Sequence, residues 1–241
     1  MTLEPASAAT PFGAAPPASA ALRIEGADAL AVLHRISTAR LDDLVPGAAR
    51  WTLFCDFRGR LLHRAAVAVT EDAVWLLRPD AAAAELAAWV DRHVFRERVR
   101  LVDASAAWRV EEREESAPAL APGTLAAQDG VPRLVRPDDG PALALAPAAT
   151  ARAAEDPGAP LRRVRAGRPR HGHEIAPEFT PYEVGLAHEV HLSKGCYTGQ
   201  EALLRLMTYA SVRRRLVRLG ARGRRPRRAP RSRAARSLRA S

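Results

Sequence analysis

Lys194-Gly195-Cys196-Tyr197-Thr198-Gly199-Gln200-Glu201 is the stretch on which the reading of this chain turns. Thr198 and Glu201 have the spacing of a capping box, in which the threonine hydroxyl accepts from the first helical turn and the glutamate reaches back to the threonine N–H. Ala202-Leu203-Leu204-Arg205-Leu206-Met207 continues with good helix formers. The spacing predicts a helix opening at this motif, with Cys196 two residues ahead of its cap. There the positive end of the helix dipole and the neighbouring Lys194 would favour a thiolate, which makes Cys196 a candidate reactive cysteine. The residues alone allow a second reading, a small buried hydrophobe in an ordinary turn. The same helix start would also suit an anion such as a carboxylate.

Upstream, short apolar runs broken by turn residues set the fold class. A strand around Leu22–Ile24 runs into Gly26-Ala27-Asp28, with Asp28 as N-cap of a helix whose stripe is Ala29, Leu30, Val32, Leu33 and Ile36. Trp51–Cys55, Leu61–Val69 and Ala73–Leu77 read as an antiparallel meander, its first turn being Asp56-Phe57-Arg58-Gly59-Arg60. Pro79-Asp80 opens a second helix with Leu86, Trp89, Val90 and His93 on one face. Val99–Val102 and Trp108–Val110 are further strands. Residues 115–160 are Pro-, Ala- and Gly-rich and predict long loops with short strands at Arg133–Val135 and Leu143–Leu145. A short helix at Leu161–Ala166 ends at Gly167. Hairpins mixed with helices indicate an α+β fold rather than a parallel βαβ sheet.

The formal charge of +10 over 241 residues is localised. Residues 220–241 hold nine Arg and no acid, so the remainder is close to neutral. Residues 1–20, rich in Ala, Pro, Ser and Thr, offer little to bury and are expected to be disordered, as is the Arg-rich segment 220–241. No apolar run approaches the ~20 residues of a membrane helix. The first 21 residues carry neither Lys nor Arg, unlike a signal or transit peptide. Two cysteines, Cys55 and Cys196, make neither a disulfide framework nor a four-ligand zinc site, which points to a reducing, cytoplasmic setting.

The octapeptide K-G-C-Y-T-G-Q-E resembles the hallmark motif of the YgfZ family of folate-binding proteins, relatives of the glycine-cleavage T-protein (aminomethyltransferase) that act in iron–sulfur cluster assembly or repair. Weaker likenesses stand in the family's order. They are Leu22-Arg23-Ile24-Glu25-Gly26-Ala27-Asp28-Ala29-Leu30, Asp56-Phe57-Arg58-Gly59-Arg60-Leu61, Arg92-His93-Val94-Phe95-Arg96, Arg165-Ala166-Gly167-Arg168-Pro169 and Arg214-Arg215-Leu216-Val217. The chain departs from the family at Arg35-Ile36-Ser37-Thr38-Ala39-Arg40, where relatives carry more polar residues on the folate pocket wall. The resemblance implies a ring of small α+β domains around a central folate pocket, formed by an aminomethyltransferase-like folate-binding region over residues 21–219. It implies tetrahydrofolate or a folate derivative as cofactor and iron–sulfur client proteins as partners. Cys196 would be the functional or redox thiol and Lys194 would tune its charge. Gly195, Tyr197, Gly199, Gln200 and Glu201 would be the cofactor-binding residues, with Tyr197 stacking or hydrogen-bonding near the pterin and Gln200 and Glu201 fixing the loop. Relatives continue past R-R-L-V into a C-terminal β-barrel. Here the Arg-rich segment follows instead, with the composition of another reading frame of GC-rich DNA, so that barrel is expected to be missing through truncation or frameshift.

Other signals are weaker. His171-x-His173 and His188-x-x-His191 lack the spacing of known zinc helices and read as solvent-exposed loop histidines, so no metal site is expected. Asp42-Asp43 reads as a loop or cap; Glu111-Glu112 and Glu114-Glu115 read as solvated charge. Two alternatives stand beside the iron–sulfur reading. One is aminomethyltransferase-type one-carbon transfer to tetrahydrofolate. The other is an RNA-associated protein with a basic tail, although that tail has no aromatic residue to stack on bases and would contact phosphates only non-specifically.

Overall fold

Period-two alternation in the meander builds a sheet buried on both faces. The computed structural model describes residues 19–113, 120–137, 141–150 and 157–219; the segments 1–18 and 220–241 and the pair Glu114-Glu115 lie outside them. The first sheet contains β1 (Ala20–Glu25), β2 (Ala49–Cys55), β3 (Leu61–Val69), β4 (Val74–Arg78) and β5 (Arg100–Asp103), in the order β2-β3-β4-β1-β5 with every pair antiparallel. In register, Leu22 lies opposite Leu76 and Val67 opposite Leu76, while Ala21 and Ala66 lie opposite Leu77. The first set joins Ile24, Val69 and Val74 under α1 (Ala29–Ile36) and α2 (Ala84–Asp91). The second set joins Trp51, Ala68 and Trp75 on the opposite face.

That opposite face is covered by a second antiparallel sheet, β6 (Trp108–Arg113), β7 (Thr124–Gln128), β8 (Val131–Arg136) and β9 (Ala142–Pro147), in the order β6-β9-β8-β7. Val110, Leu125, Val135, Leu143 and Leu145 supply its inward side. Beyond it, α3 (Ala159–Ala166) ends on Gly167 in the left-handed region (φ 67°), and a long looped segment leads to α4 (Gln200–Thr208). This segment contributes Ile175, Val184, Leu186 and Tyr197, and α4 contributes Leu203, to a third cluster with Leu53, Cys55 and Leu61.

Three expectations need correction. The Pro- and Ala-rich region is not mainly loop, since β7 to β9 form most of a sheet there, with alternating small and branched residues too sparse to register as strands. The second helix starts at Ala84, four residues beyond Asp80, because the Arg78 side chain takes the carbonyls of Ala81 and Ala82 into its own hydrogen bonds. Asp28 precedes α1 but makes no capping bond; its carboxylate accepts from Arg98 N at 2.7 Å instead. No helix among the described residues is long and apolar enough to cross a membrane.

Candidate functional site

The motif is packed against the Asp56–Arg60 turn. Asp56 Oδ1 accepts from the backbone of Arg58 and Arg60, both at 2.8 Å, which draws this turn into a tight loop. Gly199 rests on it with φ 84°, and a Cβ at that position would lie 2.5 Å from Asp56 O. Only glycine meets both demands. Two separated signatures of the sequence are thus in direct contact.

The local chemistry differs from the capping-box expectation. Gly199, not Thr198, is the N-cap of α4, and no side chain caps it, because the left-handed glycine already turns the chain into the helix. Glu201 faces solvent, 3.9 Å from Arg205 one turn on, and does not hold the loop. Gln200 does, donating Nε2 to Leu192 O at 2.8 Å. Gly195 also has positive φ, 107°, but with open space where a Cβ would stand.

Lys194 is buried and turned to α1. Its ammonium donates to His34 O and lies 4.8 Å from the Tyr197 ring centroid, while Lys194 O accepts from His34 Nε2 at 3.0 Å. His34 Nδ1 in turn accepts from the N–H groups of Leu41 and Asp42. Lys194 therefore neutralises the carbonyl end of α1. Burial pushes its pKa down to about 8, against the pull of Asp42. Tyr197 is buried with its hydroxyl unpartnered, and burial next to Tyr182 raises its pKa. Cys196 is exposed, whereas Cys55 is fully buried, which drives its thiol pKa upward.

A cavity of about 530 Å³ opens elsewhere, between β3, α2 and the 171–177 loop. Leu62, Ala88, Trp89, Ile175 and Pro177 form its walls, and His63, Glu85, Arg92 and His171 supply its polar groups. Residues 194–201 do not line it. Its polar residues come from a strand, a helix and a loop, a combination with no linear spacing for a sequence reading to find. His171 corrects an expectation: it is not a solvent-exposed loop histidine but lies in this cavity, its ring centroid 5.8 Å from that of His63. Burial and the nearby Arg78 lower the pKa of both histidines, His63 to about 3.

One ligand atom each from His63, Glu85 and His171 falls within 4.8 Å of the others, a grouping that invites a metal. The donor set argues otherwise. Arg78 donates to His63 Nδ1 at 3.2 Å and brings a fixed positive charge beside the group. A cation on the other ring nitrogen would have to expel its proton while Nδ1 still accepts from arginine.

No protein-family model matches the chain. A chloroplastic transferase-type protein of Arabidopsis thaliana is 46% identical over 54 residues, 22% of this chain and 12% of that protein. An aminomethyltransferase of Moorella thermoacetica is 46% identical over 55 residues, 23% of this chain and 15% of the enzyme. The chain therefore matches only a short part of these curated relatives. The glycine cleavage system aminomethyltransferase T of Bartonella henselae superimposes with a TM-score of 0.60 at 15% identity, over 79% of this chain and 61% of that one. Across that extent, with its two antiparallel sheets and flanking helices, the chain has an aminomethyltransferase-like fold.

Proposed function

We propose that the chain binds tetrahydrofolate or a folate derivative in the cavity between β3, α2 and the 171–177 loop, and serves iron–sulfur cluster assembly or repair through Cys196. In this reading residues 21–219 are the folate-binding region, and the protein acts as a YgfZ-type protein in the cytoplasm, with iron–sulfur proteins as its clients. The observation that carries the folate part is the cavity itself. Its volume lies within the ~300–1,000 Å³ of small-molecule sites, with apolar walls and a few convergent polar groups. Trp89, mostly buried and flanked by His93 at 4.5 Å and Arg92 at 5.7 Å, contributes what it exposes to the apolar wall, and Arg92 offers a guanidinium for a ligand carboxylate.

The thiol part is supported by contrast within the motif. Lys194, Tyr197, Gly199 and Gln200 are each pinned, while Cys196 between them stays open to solvent. The pinned residues then act as a frame that presents the thiol to a client protein. The folate site and the thiol are separate in this scheme. Residues 220–241 would add only salt-sensitive, non-specific phosphate contacts.

Calorimetric titration of tetrahydrofolate into the whole chain should show saturable binding, unchanged in Cys196→Ser. The same variant should fail to restore activity to an iron–sulfur client enzyme. Absence of binding removes the folate part, and full function of Cys196→Ser removes the thiol part. The short, highly identical stretch shared with the Moorella aminomethyltransferase favours one-carbon transfer to tetrahydrofolate as the second reading. Turnover of a lipoyl-bound aminomethyl substrate, unaffected by Cys196→Ser, would select it.

A further inference from the structure

Under the cavity floor the chain buries a cation with a specific task. Arg78, 1% exposed, donates Nε to Ala81 O at 3.3 Å and one terminal nitrogen to Ala82 O. The other terminal nitrogen donates to His63 Nδ1 at 3.2 Å. A guanidinium has donors only, so Nδ1 must be the accepting nitrogen, and in the neutral ring the proton then sits on Nε2. That second nitrogen has no protein partner among the described residues, and His63 is part of the cavity lining. His63 sits on β3 opposite Phe54, so its position is set by the sheet and not by a loop.

We propose that Arg78 is a positioning residue that locks His63 as an Nε2–H donor, and that this N–H recognises a lone-pair acceptor on the edge of a planar heteroaromatic ligand seated against Trp89. The proposal rests on the reading of the cavity as a folate site, and it names the contact that selects the ring. A pterin meets the requirement with its ring nitrogens and exocyclic oxygen.

The charged and titratable groups facing His63 all bear on this state. Arg78 of β4 accepts nothing and opposes a second positive charge. His171, from the loop, is held neutral by burial and by the same arginine. Glu85, from the first turn of α2, and Arg92, the residue that caps its C-terminal end, stand on the cavity lining. Asp80 accepts from His171 N at 2.8 Å and lies close enough to stabilise Arg78. Burial, then Arg78 and His171, keep His63 uncharged down to about 3, so the donor persists through the physiological range.

The test begins with histidine-labelled full-length protein and long-range proton–nitrogen NMR near neutral pH, His63 being assigned by the signal lost in His63→Gln. The expected spectrum has a protonated Nε2 and a bare Nδ1; a proton on Nδ1, or on both nitrogens, overturns the proposal. This measurement needs neither ligand nor an Arg78 variant. In Arg78→Met, where it folds, the His63 titration should climb toward the ordinary 6.5 and the tautomers should mix. For recognition, the probe is tetrahydrofolate: His63→Leu should bind roughly tenfold more weakly, the scale of one lost hydrogen bond, while His63→Gln retains most affinity. Equal affinity of His63→Leu and the parent chain overturns the donor role. The Nε2–H tautomer found in a chain that binds no tetrahydrofolate overturns the folate reading and supports the lock.

Discussion

At the scale of single residues, the motif's two glycines look alike in sequence and differ in consequence. Both have positive φ, but a Cβ at Gly199 would strike Asp56 O at 2.5 Å, whereas one at Gly195 would meet open space. Gly199→Ala should therefore combine left-handed strain with a backbone clash and cost upward of about 2 kcal/mol. Gly195→Ala should cost about 1 kcal/mol, from strain alone. Urea unfolding of the two variants gives the comparison, and equal midpoints would refute the packing of Gly199 on the turn. The motif announced that something specific happens at residues 194–201, because it holds the single lysine of this Arg-rich chain between closely spaced turn and cap residues. It did not announce where Lys194 points. Its partner His34 lies 160 positions away, and no local pattern encodes such a contact.

At the scale of elements, a buried ion pair ties β3 to the 3-10 turn Ala187–Glu189. Arg64 grips Glu189 through Nε at 3.0 Å to both oxygens and through a terminal nitrogen at 2.6 Å, and its guanidinium covers the Trp51 ring at 3.9 Å. Thr38 closes the same joint, donating Oγ1 to Glu189 O at 2.7 Å. Arg64→Ala leaves the buried carboxylate with only the exposed His188 beside it, at 3.5 Å, and should destabilise the chain by about 3–5 kcal/mol. Burial alone would raise the Glu189 pKa, but the charge of Arg64 and the hydrogen bonds of His188 and Arg64 outweigh it, so the carboxyl stays below the usual 4.5. A folded pKa below the unfolded one gives stability that is complete above about 4.5 and is lost as pH falls through the folded value. His63 adds a loss of the same sign, beginning near 6.5 and ending near 3. Glu189→Gln should therefore make the acid limb of the unfolding midpoint shallower below about 4.5 while leaving its onset near 6.5 in place. An unchanged limb would show that the pair carries no pH dependence. Elements of this kind were partly legible. The meander showed itself as apolar runs broken by turn residues, whereas the facing of Val67 and Val69 to one side and Ala66 and Ala68 to the other, all of them apolar, is set by the fold. The strand Thr124–Gln128 did not, since three of its five residues are exposed and alanines carry little signal of either period.

At the scale of the molecule, one sheet serves every core. β3 and β4 give Val67 and Leu76 to the helical layer and Ala66 and Leu77 to the layer under the second sheet, and β3 opens with Leu61 in the cluster sealed by the motif. All five side chains of β4 are buried. Opening these strands would expose all the clusters together, so their amides should exchange only through global unfolding. α3 stands at the other extreme. None of its side chains is buried, and Leu161 and Val164 remain half exposed, so its own hydrogen bonds, its Gly167 cap and half-exposed ties such as Arg163 to Glu174 at 3.2 Å and Arg218 to Arg165 O are what resist opening. An isolated helix of that length is marginal in water, below the ~12–15 residues at which helices begin to hold by themselves. Native-state hydrogen exchange under rising denaturant should then resolve two classes. The β3 and β4 amides should converge on the free energy of global unfolding, and the α3 amides should exchange by local opening with little denaturant dependence. β7 should fall between them, because Leu125 is buried but the strand lies at the edge of its sheet. If α3 instead exchanged at the level of β4, it would have to be held by packing outside the described residues, and the layered account of stability would fail at that point.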